Sequence, residues 1–401
     1  MTDQHNEIEQ EIREQIRRAK APPRRTGGAK RMLTLVLVLL VVLGIVWAAS
    51  YRDEMGLDGM RRLFTYNKAA SGEDGRVELF RYDSDRSAIY DMLGDSLIIA
   101  STTRLQLLGK DGVELWSETV NFTHPAIVIG AQTAAVYDVG GTELYLISAH
   151  GLLRGMSEQT GNGILSVSIN ASDYLALTSL KSGYRSAVTA YTSAGEPVFT
   201  YNSSERYISD ACVLDDNRHL CAVTMGEADG VFASRLSFYG FDSEDELSET
   251  ILGSSMVLLL SSFGRKVAAL EDDRLTLFAS DGSLAGSCRY EYPYLRGQTM
   301  GGADFAVLAL SRYRSGSAMR VVTVDSDGQV LGRVDGQREI LDVSAAGRYV
   351  AVLCSDRLTV YTADMTEYAS LDATDYAKQV IMRSDGTAVL IGASRAWLFV
   401  P

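Results

Sequence analysis

The 401-residue chain holds only four histidines, at 5, 124, 150 and 219, and none stands in a ligand pattern such as His-Glu-x-x-His. No metal centre is therefore expected, and no cofactor. Gly-x-Ser-x-Gly elbows, phosphate-cradling loops and dinucleotide fingerprints are also missing, which removes the common sequence routes to acyl transfer, nucleotide hydrolysis and hydride transfer. Four cysteines are too few for a disulfide-built scaffold. Cys212 and Cys221 flank "VLDDNRHL" symmetrically, so in a hairpin they would face each other as a disulfide or as two small buried apolar residues; the second reading is preferred.

Positive charge is scarce as well. The formal net charge is −13, and residues 1–31 carry eight basic against five acidic side chains, leaving 30 against 46 for the rest. Docking on nucleic acid rests on Lys and Arg displacing phosphate counterions, so the bulk of this chain is unsuited to it.

Long apolar runs are absent except for one. Residues 32–49, "MLTLVLVLLVVLGIVWAA", carry no charge, and at 1.5 Å rise per residue a helix there spans about 27 Å, enough for a bilayer core. A cleaved signal peptide is the competing reading, with "AAS" at 48–50 as a small-residue site. The run is longer than a usual signal core, which favours an uncleaved anchor. Seven Lys and Arg between 17 and 31 precede it, and positive flanks stay in the cytoplasm. The expected layout is a cytoplasmic basic tail (1–31), a transmembrane helix (32–49), a linker (50–75) and an extracytoplasmic domain (76–401) at the cell membrane. Ile8, Ile12 and Ile16 suggest a short solvated helix in the tail, too brief for a coiled-coil seam.

What the chain has in abundance is repetition. "LQLLGKDGVELW" at 105, "LYLISAHGLLRG" at 144, "VTAYTSAGEPVF" at 188, "LTLFASDGSLAG" at 275, "VVTVDSDGQVLG" at 321 and "LTVYTADMTEYA" at 358 are versions of one unit: a half-buried strand, a tight turn and a second strand. The turn glycine recurs at 112, 151, 195, 282 and 328, with Ser243 and Met365 in two other copies. "DSDG" at 325–328 lacks the later carboxylates of a calcium loop and reads as a turn. Third strands beginning at Arg104, Glu143, Ala187, Arg235, Arg274, Arg320, Arg357 and Arg395 are spaced by 37 to 48 residues. Each is preceded by an Ala-bearing apolar strand such as "TAAVYD" at 133 or "KVAALE" at 266. Strand-only repeats of this period build an all-β propeller, here of eight four-stranded blades, with seven still open if one unit is irregular. The eighth unit lacks an outer strand, and "RVELFRY" at 76–82 has no blade of its own; giving it to the last blade closes the ring and removes an exposed edge.

These repeats are similar to the quinoprotein-like and WD-type repeat families, "LLGKDGVELW" being close to the former's strand-turn-strand signature. The whole layout, with "FRYDSDRSAIYDMLGDSLIIAST" at 80–102 and "SGYRSAVTAYTSAGEPVFTY" at 182–201, resembles an uncharacterised family of single-pass, membrane-anchored β-propeller proteins of Gram-positive bacteria. That resemblance implies a fold and a location, and it supplies no catalytic residues. The quinoprotein likeness raises a quinone-dependent oxidoreductase, but the vicinal cysteines that such enzymes share are not in this chain.

The informative irregularity is where residues are added. Three long repeats gain theirs between second and third strands, in "KSGYRS" at 181, "MGEADGVFAS" at 225 and "SRYRSGSAM" at 311. Such loops share one face of a propeller, so Tyr184, Arg185, Phe232, Arg312, Tyr313 and Arg314 are the candidate partner-binding residues, of the types that anchor interfaces. Tyr290, Tyr292 and Tyr294 alternate in "CRYEYPYLRG" and are expected to pack against one another along an outer strand. The function expected is a non-catalytic binding or scaffolding module for a protein or cell-wall ligand. The alternative is a propeller enzyme at the cell surface, a hydrolase or lyase using scattered carboxylates or a quinone-dependent oxidoreductase.

Overall fold

The computed structural model describes residues 76–83, 87–156, 162–228 and 230–401, together with Leu39. The chain divides into two units, Met1–Arg61 and Arg62–Pro401. Apart from Leu39, the tail, span and linker expected for residues 1–75 lie outside the described residues.

Every described strand belongs to one of eight four-stranded antiparallel sheets. Seven are consecutive: blade 1 (89–119), blade 2 (125–155), blade 3 (164–203), blade 4 (207–253), blade 5 (257–289), blade 6 (294–336) and blade 7 (340–372). Blade 8 is composite. Its strands Gln379–Met382, Ala388–Ile391 and Arg395–Phe399 are completed by Arg76–Arg81, which runs antiparallel to the last, Arg76 opposite Phe399 and Arg81 opposite Arg395. The architecture is an eight-bladed propeller. First strands of neighbouring blades touch one another, so they line the ring axis and fourth strands lie outermost.

No single core holds this ring. Eight apolar clusters occupy the eight seams between consecutive blades. Both faces of a blade are thus covered, which is why second strands such as Thr133–Asp138 are buried throughout and carry alanine where neighbours approach. Cys212 and Cys221 are register partners in blade 4, both free and buried in the seam with blade 5. Burial pushes both thiols well above the usual range, so they serve as small apolar packing groups.

The repeated turn has a second task. Gly112, Gly151, Gly195, Gly282 and Gly328 all have positive φ, and Met365 takes φ 61° in their place. Each of these turns leans on the preceding blade. Ser248 Oγ of blade 4 donates to Asp281 O (2.7 Å) and Thr250 Oγ1 to Gly282 O (3.1 Å); Arg154 of blade 2 donates to Gly195 O (2.9 Å) and Thr323 of blade 6 to Ala363 O (2.6 Å). Where the approach is closest, the outer strand beneath carries glycine. A Cβ at Gly286 would lie 2.2 Å from Asp327 O, and one at Gly332 would lie 2.2 Å from Asp364 O. Both stand four residues after a turn glycine, as does Gly155, where a Cβ would meet nothing within 4 Å. Gly286→Ala and Gly332→Ala are therefore expected to destabilise the domain by about 1–3 kcal/mol each, while Gly155→Ala leaves it unchanged. Thermal melts of the three variants check this, and equal melts would remove close backbone approach as the reason for the glycines.

Candidate functional site

Antiparallel alternation puts the second-to-third-strand connections on the same ring face as the segments linking successive blades. All three insertions emerge there. The blade 3 insertion is the loop between Leu175–Ser179 and Ser186–Tyr191, and the blade 6 insertion is the loop between Phe305–Ser311 and Met319–Asp325. The blade 4 insertion differs from the expected loop, because strands His219–Ala228 and Val231–Gly240, ten residues each, extend through it as one hairpin. Gly230, at φ 79°, supplies the turn that lets the ladder continue. Blade 4's first strand pairs only as far as Met225 and its fourth only as far as Ser234, so 226–228 and 231–233 overhang the sheet.

Tyr184 and Arg185 on blade 3 and Phe232 on blade 4 occupy adjacent blades. Arg312, Tyr313 and Arg314 lie on blade 6, with blade 5 between. The three aromatics are solvent-facing: Tyr184 is 46% exposed, Phe232 49% and Tyr313 52%. Arg185 lies over the Tyr207 ring, 5.2 Å from its centroid, and its Nη1 is 3.4 Å from the Tyr207 hydroxyl. Arg312 lies 5.8 Å from the Tyr313 centroid. The blade 6 loop folds around Ser311, whose Oγ donates to Tyr313 O and Ser317 O. A groove of about 590 Å³ opens beside the blade 3 loop, lined by Lys181, Ser182, Tyr184, Arg185, Ser204 and Tyr207 among others.

Elsewhere on this edge, arginine is paired. Third strands begin beside Arg104, Arg235, Arg274, Arg320, Arg357 and Arg395, which meet Glu114, Glu249, Asp273, Asp335, Glu367 and Glu78 respectively. All but the Arg274–Asp273 pair, which joins sequence neighbours, tie a third strand to its fourth. Lys181, Arg185, Arg312 and Arg314 have no carboxylate partner among the described residues. The expected stacking of Tyr290, Tyr292 and Tyr294 does not occur, because the outer strand ends at Arg289 and 290–293 link blades 5 and 6. The Tyr290 hydroxyl donates to Glu271 O and the Tyr292 ring lies under Arg320. These rings fasten the seam.

The opposite face carries a funnel of about 630 Å³, lined by first-to-second-strand turns of five successive blades and so centred on the axis. Its cations are Arg265 and Lys266, and Lys266 Nζ is held by Ser326 O and Asp327. Between the two faces, first strands bury three carboxyls, Asp91, Asp210 and Asp342, each pushed up to about 6 by burial. For Asp91 the charge of Asp342 adds to that. Asp210 accepts the Leu260 N–H (2.8 Å) and Asp342 the Val380 N–H (2.9 Å), each from the next blade's first strand. They join blades. Among the described residues, no three His, Cys, Asp or Glu side chains converge as a metal site.

The model of a family of unknown function, DUF5711, matches residues 76–395. No curated protein is similar to the chain in sequence. Among solved structures, the computationally designed protein Ika8 is similar, with a TM-score of 0.58 and 12% identity over 81% of this chain and 99% of its own. The C-terminal WD40 domain of Sif2 is similar with a TM-score of 0.57 and 13% identity, covering 81% and 98%. BamB from Moraxella catarrhalis has a TM-score of 0.50 and 12% identity, covering 80% and 99%. At these identities the likeness is one of fold, a WD40- and quinoprotein-like propeller.

Proposed function

We propose that this chain, which belongs to the family of unknown function DUF5711, is a non-catalytic binding or scaffolding module whose insertion-bearing face recognises a protein or cell-envelope ligand. The observation that carries the reading is the combination on that face of exposed aromatics, Tyr184, Phe232 and Tyr313, with cations that have no carboxylate partner among the described residues. Aromatic and Arg side chains are enriched among the few residues that carry most of the energy at protein interfaces. The buried carboxyls that an enzyme would need free accept backbone N–H groups instead.

In this reading the propeller, 76–401, stands outside a cell membrane, held by the span at 32–49 with residues 1–31 in the cytoplasm and 50–75 as a linker. The uncharged run and the basic residues ahead of it support that orientation, and so does the resemblance to membrane-anchored propellers of Gram-positive bacteria.

A photocrosslinking side chain placed at 184, 232 or 313 in living cells is expected to give discrete adducts, and one at Tyr368 on the outer strand of blade 7 to give none. The triple variant Tyr184→Ala, Phe232→Ala, Tyr313→Ala should keep the wild-type melting temperature and weaken partner capture at least tenfold. Full capture by a folded triple variant would move the binding surface elsewhere.

A further inference from the structure

We propose that the groove between the blade 3 loop and the start of blade 4's first strand at Tyr207 binds an acidic, extended peptide segment, a partner class that rests on the binding reading above. Two independent features of the groove define that ligand. The first is charge. Lys181 and Arg185 line it without a carboxylate partner among the described residues, in a protein of net charge −13 whose third-strand arginines are all paired. The Arg185 guanidinium lies over the Tyr207 ring, an arrangement that holds it flat while its N–H groups remain at the edge, suited to bidentate contact with a carboxylate.

The second feature is backbone. In an antiparallel pair, alternate residues turn their N–H and C=O away from the partner strand. Residues 226–228 pair with 231–233 and with no other strand, so the overhang presents ladder edges that blade 4 leaves unpaired, and it begins one residue past Met225, the register partner of the groove residue Tyr207. The Arg206 side chain, one residue before Tyr207, packs over the face of Gly226. An extended peptide can add to such an edge as a further strand, with its acidic side chains reaching Lys181 and Arg185 and its apolar ones resting on Tyr184 and Phe232.

The test uses the full chain in mild detergent to select from a displayed library of random dodecapeptides. The winning sequence is then measured by fluorescence anisotropy. Selected sequences should be rich in Asp and Glu, and the K181E/R185E variant should bind the winner at least tenfold more weakly with an unchanged melt. R265E, at the axial funnel on the other face, should bind it as wild type does. Raising salt should weaken binding in the wild type. Selection of no peptide or of non-acidic ones, equal binding by K181E/R185E, or loss of binding in R265E would overturn the proposal. Tighter binding of poly(glycerol phosphate) than of any selected peptide would also overturn it and assign the cations to an anionic polymer. Rim crosslinks together with unaltered peptide binding in K181E/R185E would sink this inference alone, whereas an absence of rim crosslinks would sink the wider reading.

Discussion

Replacing Arg76–Arg81 by six Gly and Ser residues in the full chain is expected to destabilise the propeller by at least about 5 kcal/mol. The segment is the outer strand of blade 8, and its loss strips one of the two pairing partners from Arg395–Phe399. It also empties a seam. Phe80, 1% exposed, packs in the cluster between blades 8 and 1 with Leu97, Ile99, Val389 and Leu398, and truncating a buried Phe to Ala alone costs about 3–5 kcal/mol. Tyr82, just beyond, donates its hydroxyl to Gly392 O (3.0 Å) and would lose its approach. Because seams are shared only by neighbours, blades 1 and 8 should open first, and protease cuts in the variant should concentrate at 87–119 and 373–401. A melt and digestion pattern equal to wild type would show that ring closure does not depend on this strand.

Acidification from pH 7.5 to pH 5 should raise the melting temperature, contrary to the usual behaviour of acidic proteins. Asp91, Asp210 and Asp342 have folded-state values of about 6 against 3.8 for the free side chain. A group whose value is raised by folding contributes stability that is full below the unfolded value and lost as pH rises through the folded one, so the window is pH 4 to 6. Each shift of two units corresponds to about 3 kcal/mol. Carboxylates at Asp273, Asp335 and Asp364 are held below the usual range, first by hydrogen bonds from Arg274, Arg320 and Thr362. Their contribution is lost only as pH falls through those low values, so it opposes the effect below about pH 4. They are largely solvated and act weakly. Asp210→Asn should flatten the rise by about a third. It should also lower stability at every pH, since an amide N–H₂ would face the Leu260 or Ala211 N–H. Melts from pH 4.5 to 7.5 measure this; a wild-type curve flat across that range would show that the axial carboxyls are not buried as described.

Blade number and strand order were legible because the determinants are local: an alanine-bearing apolar strand, an Arg-led strand and a turn glycine repeat within each unit. The second glycine at 286 and 332 carried a readable signal too, standing four residues beyond the turn. What its spacing could not express was that the next blade's turn sits on it. Asp91, Asp210 and Asp342 look like solvated strand residues in "YDML", "SDACV" and "LDVS". Their burial comes from the curvature of the ring, which brings first strands together at the axis and has no local pattern. Tyr290 and Tyr292 alternate as a strand would, yet the ladder stops at Arg289 and their rings are fixed by contacts with Glu271 and Arg320. At the candidate face, the insertions and their aromatics were readable, whereas the overhang of the blade 4 hairpin depended on where neighbouring strands stop.

The composite blade also sets an order of events during synthesis. Arg76 leaves the ribosome more than 300 residues before its partner Phe399, so the first strand made is the last to be paired. Seven blades can assemble in sequence while Phe80 and the edge of that strand wait unsatisfied, which is the period when a nascent chain is most open to wrong pairing or capture by a chaperone. A message cut short between codons 373 and 394 would yield a product with seven sound blades and a permanently open ring. Quality control therefore has a clear mark by which to tell an unfinished chain from a finished one.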